Sequence, residues 1–283
     1  MTSRAHNYSS APPAVRTPPS LAGCDRGHDA VRKRFSVLGV AFDALQIPDV
    51  MIRMRQWIAR REACRYIAVT GMHGITEARH HAEVRNAIAG AELVVADGMP
   101  VVWIGRWLGH SLARRVYGPE LMFRFCWETA STGCRHYFFG GAPGVVEQLV
   151  QSLEQKCPGI VVAGAYSPPF RPSTPEEDAA IVSRIIDAAP DVLWVGLGTP
   201  KQEIWMHQHR DKLRVPVMIG VGAAFDFLSA RKRQAPSWMR ERGLEWLFRL
   251  VQEPMRLWKR YLVGGSEFVV LVLLQLLGLR RFE

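Results

Sequence analysis

The chain has 283 residues, 48% of them hydrophobic, enough to bury the core of one α/β-sized domain with an appendage. Its net charge of +10 points to an anionic partner, whether nucleic acid, membrane lipid or a phosphorylated substrate. Cys24, Cys64, Cys126, Cys134 and Cys157 follow neither CxxC nor metal-type spacing, which argues against a disulfide framework and fits a reducing compartment.

Residues 1–33 are rich in Pro, Ser, Ala and Arg and have no apolar h-region, so they are expected to form a disordered N-terminal segment rather than a signal peptide. From there, short β-branched runs alternate with amphipathic ones. Strands are predicted over 36–40, 66–70, 92–96, 136–139, 160–163, 192–196 and 216–221. Helical spacing lies between them, as in Val145, Leu149, Val150 and Leu153, or Val182, Ile185, Ile186 and Ala189. This alternation predicts an α/β core over 34–230, a Rossmann-like, mostly parallel sheet with flanking helices. Ligands of such sheets bind at the carboxyl ends of the strands, so the residues after each strand carry the chemistry.

The first such end, Thr70-Gly71-Met72-His73-Gly74, offers a histidine, a residue more often structural than catalytic. The next, Asp97-Gly98, offers a carboxylate that either closes the strand as an Asx-turn or points into the crevice as a general base. Arg114-Arg115 precedes a helix and could hold a phosphate. Gly140-Gly141 lets backbone approach a phosphate at a helix N-terminus, or simply connects strand to helix. At Thr199-Pro200-Lys201-Gln202-Glu203, Thr199 and Gln202 match a capping box with Pro at the first helical position, and Lys201 would suit a diphosphate. Asp226 fits a helix cap or an anchor for a sugar hydroxyl. There is no DxD and no metal-ligand cluster, so no metal or other cofactor is expected, and Arg and Lys would have to stabilise a leaving group.

Residues 231–283 carry eleven Lys and Arg against five acids, interleaved with Trp238, Trp246, Phe248, Trp258 and Tyr261, and no strand signal. They read as a helical, basic and aromatic appendage. Its last stretch, 268–279, is too short to span a bilayer and too apolar for water, which suggests a helix lying in the headgroup region. Arg256 and Arg260, four apart, are expected on one helix face, with Pro254 breaking the helix that carries Arg249. Removing everything after Leu262 is expected to weaken membrane binding while leaving residual activity.

Thr70, Asp97-Gly98, Arg115-Val116-Tyr117-Gly118, Phe139-Gly140-Gly141, the block Gly196 to Glu203, the block Gly220 to Asp226, Gln234-Ala235-Pro236 and Gly243 to Leu250 form an ordered set. This set resembles the WecG/TagA/CpsF family of bacterial glycosyltransferases, over about residues 35–261. The resemblance implies inverting transfer of a sugar, N-acetylmannosamine in the best-known activity, from a UDP-sugar donor to an undecaprenyl-diphosphate-linked acceptor in exopolysaccharide or surface polysaccharide assembly. It implies Asp97 as base, with Thr70, Arg115, Gln202 and Asp226 at active-site positions, and Arg249, Arg256 and Arg260 holding the lipid diphosphate. Gly140, Gly141, Lys201 and His73 then join Asp226 as candidates for the nucleotide-sugar, and Arg115 joins the phosphate-binding arginines. Many members carry Thr-x-Asn where this chain has Thr70-Gly71-Met72, so the sugar contact made there differs. The expected setting is a cytoplasmic enzyme attached peripherally to the inner membrane, without a nucleic-acid partner; homo-oligomerisation is left open. A nucleotide-dependent oxidoreductase lacks support, because Gly196-x-Gly198 and Gly220-x-Gly222 miss the third glycine. A nucleic-acid-binding protein is disfavoured because the basic residues concentrate beside an apolar terminal stretch.

Overall fold

The computed structural model describes residues 32–282, so the segment 1–31, most of the N-terminal stretch expected to be disordered, lies outside the described residues together with 283. The chain opens with β1 (Arg34–Val37), β2 (Val40–Asp43) and α1 (Ile47–Arg60), then β3 (Arg65–Thr70), α2 (Met72–His80), α3 (Ala82–Ala89) and β4 (Leu93–Ala96). The middle holds α4 (Met99–Trp107), α5 (Gly118–Thr129), β5 (Arg135–Gly140), α6 (Val145–Lys156), β6 (Val161–Tyr166), α7 (Pro175–Asp187) and β7 (Val192–Gly196). After these come α8 (Lys201–His209), β8 (Val217–Gly220), α9 (Ala224–Leu228), α10 (Ser237–Glu241), α11 (Glu245–Gln252) and α12 (Pro254–Trp258). A π-helical turn (Lys259–Val263) leads into α13 (Gly264–Leu276).

Six strands form one parallel sheet in the order β4-β3-β8-β7-β5-β6. Helices cover both faces, which is why β3, β4, β7 and β8 read as nearly unbroken apolar runs. Successive side chains still alternate between two cores: Tyr66 and Ala68 face one, Ile67 and Val69 the other. The chain leaves β3 for β4 at one edge and then crosses to β5 on the far side of β8 and β7. Connections therefore diverge around β3 and β8, whose carboxyl ends flank the crevice where sheets of this class bind ligands.

The strand predicted over 36–40 is in fact an antiparallel hairpin of β1 and β2 outside the main sheet. Leu38 and Gly39 make its two-residue turn with φ of 50° and 86°, as a hairpin of this hand requires. A leucine there is strained, and the α13 side chain of Gln275 holds the turn by accepting from the Leu38 N–H at 2.8 Å and donating to the Ser36 carbonyl at 2.9 Å.

The terminal apolar stretch also departs from expectation. Phe268, Leu271 and Val272 of α13 are buried in the core, while Val269, Val270 and Leu273 are exposed. One face of this helix is thus part of the fold, so removing everything after Leu262 would open the core as well as detach a surface. No helix among the described residues is long and apolar enough to cross a membrane.

Candidate active site

The sheet supplies one wall of the site. Thr70 ends β3 opposite Ala96, so the residue that follows β4, Asp97, donates its N–H to the Thr70 carbonyl at 2.7 Å and stands beyond the carboxyl end of the strand. The approach is close enough to require glycine at 71, where a Cβ would lie 2.1 Å from the Asp97 carbonyl oxygen. Thr70 is buried, and its hydroxyl has no hydrogen-bond partner among the described residues.

Gln202 is buried beside these residues, and it is not the capping-box residue that its spacing predicts. Pro200, rather than Thr199, is the N-cap of α8, and no side chain caps it. The Gln202 amide turns inward instead: its Oε1 accepts from the Gly222 N–H at 2.9 Å and its Nε2 donates to Glu203 Oε1 at 3.0 Å. Thr199 Oγ1 donates to that same Glu203 oxygen at 3.0 Å. Glu203 is fully buried, its second oxygen is unpartnered, and burial raises its pKa against the lowering effect of those hydrogen bonds.

The appendage supplies the facing wall. Arg249 on α11 rests 5.9 Å from the Phe227 ring, and Arg260 on the π-helical turn is half-buried with an unpartnered Nε. Burial and the neighbouring charges of Arg249 and Arg256 lower the pKa of Arg260. Both Arg249 and Arg260 act electrostatically on Asp97 and on His73. Burial pushes the Asp97 carboxyl up to about 6; Arg115 opposes this, Glu245 adds to it, and Arg249 and Arg260 oppose it more weakly. His73 is driven down to about 3 by burial and by Arg260, so its imidazole is neutral near pH 7. It stands 3.7 Å from Glu77.

Arg115 lies against Asp97 at 3.6 Å and is bound more tightly by Glu245, the first residue of α11. A cavity of about 480 Å³ opens beside it, lined by Trp103, Arg106, Arg114, Tyr117 and Arg240 among others. The remaining candidates stand apart from this group. Arg256 is exposed and bound to Glu253, whereas Arg260, one turn on and within the π-helical turn, is half-buried and near enough to feel its charge. Asp226 pairs with Lys232 at 3.3 Å, which also reaches Glu253 at 3.0 Å and ties the core to the appendage. Lys201 is exposed, its Nζ 5.2 Å from the Phe170 ring. Gly140 and Gly141 have φ of 125° and 77°; a Cβ on Gly140 would fall 2.6 Å from the Gly196 backbone, so close packing on β7 requires glycine there, while at Gly141 the positive φ favours it. Met72 faces Gly265 of α13.

Among the described residues, seven buried side-chain polar atoms lack a hydrogen bond, and those of Thr70, Asp97, Glu203 and Arg260 all belong to this cleft. Unsatisfied buried groups are costly and concentrate where a ligand completes them. Sequence reasoning missed Glu203 and Glu245 as site residues; each is an acid inside an otherwise apolar or capping pattern, the one signal that could have marked them. No group of three or more His, Cys, Asp or Glu placed to hold a metal ion occurs among the described residues.

The sequence profile of the glycosyl transferase WecG/TagA/CpsF family matches residues 35–282. An N-acetylglucosaminyldiphosphoundecaprenol N-acetyl-beta-D-mannosaminyltransferase of Staphylococcus aureus is 31% identical over 229 residues, covering 80% of this chain and 86% of its own length. A protein of the same description from Bacillus spizizenii is 29% identical over 186 residues, covering 66% of this chain and 70% of its own length.

Proposed function

The chain belongs to the WecG/TagA/CpsF family of glycosyltransferases, and we propose that it transfers a sugar, with inversion, from a UDP-sugar to an undecaprenyl-diphosphate-linked saccharide. Relatives named for an N-acetylmannosamine donor and an N-acetylglucosaminyl-diphosphoundecaprenol acceptor support this reading, within bacterial surface polysaccharide or exopolysaccharide assembly. The observation that carries it is the cleft: a strand-end carboxyl whose proton affinity is tuned to near pH 6, facing two appendage guanidiniums with no acid bound to either among the described residues.

In the proposed step the acceptor hydroxyl oxygen forms a bond to the anomeric carbon while the bond from that carbon to the donor diphosphate breaks. The hydroxyl proton passes to Asp97 and the electron pair leaves with UDP. A base with its pKa near the working pH combines a large deprotonated fraction with enough basicity to take the proton. Charge developing on a diphosphate is stabilised by Arg260 and Arg249, which repel one another until an anion lies between them. Arg115, already engaged by two carboxylates, is less free to serve there. Gln202 and Thr70 line the sugar side. The acceptor is an amphiphile, so the work is done at the cytoplasmic leaflet, with the exposed face of α13 and the basic appendage in the headgroup region.

The test is a panel of UDP-sugars against lipid-diphosphate acceptors carrying different first sugars. Transfer to an N-acetylglucosaminyl acceptor, with release of UDP, supports the reading. Absence of transfer with every pair, by folded protein in the presence of vesicles, overturns it.

A further inference from the structure

The appendage contributes an acid to this cleft as well as arginines. Glu245 opens α11, is nearly buried, and bonds Arg115 through one carboxylate oxygen. Its other oxygen accepts from the Tyr117 hydroxyl at 3.4 Å, and that hydroxyl in turn accepts from Gln234 Nε2 at 2.6 Å. Arg115 stacks on the Tyr117 ring, its guanidinium carbon 4.1 Å from the centroid, and reaches Asp97 only at 3.6 Å. Gln234, Tyr117, Glu245 and Arg115 thus form a chain of contacts, drawn from three separate segments, that ends on the carboxyl of Asp97.

Two carboxylates compete for one guanidinium here, and the closer wins. Were Glu245 absent, Arg115 would have Asp97 as its single carboxylate partner, and an arginine bonded to a carboxylate lowers its pKa by about 1–3 units. With Glu245 in place the guanidinium is drawn the other way, and a second negative charge stands near Asp97. We propose that Glu245 is a positioning residue that keeps Arg115 from neutralising Asp97, so that docking of the appendage sets the strength of the base it covers. This inference rests on Asp97 acting as that base. The other groups acting on Asp97 are Tyr117 from the same loop as Arg115, Arg249 from α11 and Arg260 from the π-helical turn; none of them replaces the negative charge that Glu245 brings.

The experiment follows the Asp97 carboxyl directly, by ¹³C NMR titration of the full chain, and in parallel records the pH profile of transfer. Asp97→Asn identifies the resonance. Glu245→Gln keeps the shape and removes the charge, and should lower the Asp97 midpoint by about one unit, roughly a tenfold loss of proton affinity. The acidic limb of kcat/KM should move down by the same amount, so the rate at pH 5 rises relative to its plateau while the plateau itself falls. A merely structural residue would lower the rate without moving the limb. Glu245→Asp retains the charge one methylene farther back and should give a smaller shift in the same direction; it decides the matter if Glu245→Gln does not fold. An Asp97 midpoint unchanged in the folded variants overturns the inference. A midpoint that falls while the rate profile stays put supports the coupling and instead removes Asp97 as the base, so the two ideas fail separately.

Discussion

On the sheet side of the cleft, Thr70, Asp97, Gln202 and Glu203 are fixed by strand ends, by a backbone N–H and by one another. On the appendage side, Arg249 packs on Phe227 and Arg260 is half-buried, with no acid bound to either among the described residues. The sheet wall is thus placed by its own fold, although single polar atoms of Thr70, Asp97 and Glu203 are left without a hydrogen bond among the described residues, while the appendage wall presents whole charges. Such an arrangement separates two tasks. On the proposed function, the groups placed for chemistry would sit on the sheet, and the groups that recognise a charged headgroup would sit on the appendage.

The strongest way to break that division is at Asp97. Asp97→Asn keeps the shape but cannot accept a proton, and turnover is expected to fall by about 10² to 10⁴-fold while donor affinity stays within a few-fold. In the unmutated protein the rate should fall as pH drops through about 6, because the active form is the carboxylate. A loss below about tenfold in folded protein would take Asp97 out of the chemistry.

The appendage wall is tested by two arginines that the sequence could not tell apart. Arg260 faces the cleft, so Arg260→Glu is expected to cost about 10²-fold in turnover, comparable to removing a donor aimed at developing charge. Arg256 is exposed and paired with Glu253, so Arg256→Glu should change turnover no more than a few-fold. Equal losses at both positions would mean that the exposure of Arg256 and its pairing with Glu253 do not set it apart from Arg260, and steady-state kinetics on a soluble acceptor decides between these outcomes.

The same pair shows where the sequence stops being informative. Strands buried on both faces announce themselves as apolar runs, so the six strands of the parallel sheet and their alternation with helices were legible. The hairpin was hidden because Leu38-Gly39 lacks the Asn-Gly or Asp-Gly signal that usually marks such a turn. Asp97 was placed after an apolar strand by the sequence, which left its role open between an Asx-turn and a base. Gln202 was ambiguous because a capping box and an inward amide share one spacing, and only the position of Gly222 across β8 separates them. Four-residue spacing put Arg256 and Arg260 on one face of a helix, but it could not show that Arg256 is exposed and held by Glu253 while Arg260, in the π-helical turn, is half-buried. The two faces of α13 could not be read because both are apolar.

A smaller effect is expected one residue beyond Gln202. Glu203 holds the Gln202 amide by its Nε2 and also accepts from Thr199. Glu203→Ala frees the amide to rotate, and a turnover loss of about tenfold is expected from a misplaced group at a reacting centre. Glu203→Gln still offers an oxygen to both donors and places an NH₂ where an unpartnered carboxylate oxygen now stands. It should therefore recover most of the rate and, because a buried carboxylate is spared, melt at least as high as the unmutated protein. A Glu203→Gln variant as slow as Glu203→Ala would show that the charge itself matters, and that the sheet wall is less self-contained than its hydrogen bonds suggest.

The least effect on turnover is expected at the exposed face of α13, where the comparison between the walls becomes one between the two sides of a single helix. Val269, Val270 and Leu273 are exposed, whereas Phe268, Leu271 and Val272 pack in the core. Replacing the exposed three by Ser removes apolar surface that would enter the headgroup region, at about 1 kcal/mol for each half-exposed side chain. Binding to anionic vesicles should then weaken by about tenfold to a hundredfold, the spread reflecting how deeply the helix sits. Melting temperature and transfer to a short-chain soluble acceptor should stay nearly unchanged, because no core contact and no cleft residue is touched. Phe268→Ser should do the reverse, lowering the melting temperature sharply, since a polar group replaces a buried aromatic ring at a cost of several kcal/mol, about 3–5 for the lost ring alone. Vesicle co-sedimentation and thermal melts on both variants make the decision. If the exposed-face variant sedimented with vesicles as well as the parent, the aromatic and basic residues between Trp238 and Tyr261 would have to carry membrane contact alone, and α13 would be only the strap that, through Gln275, closes the hairpin turn.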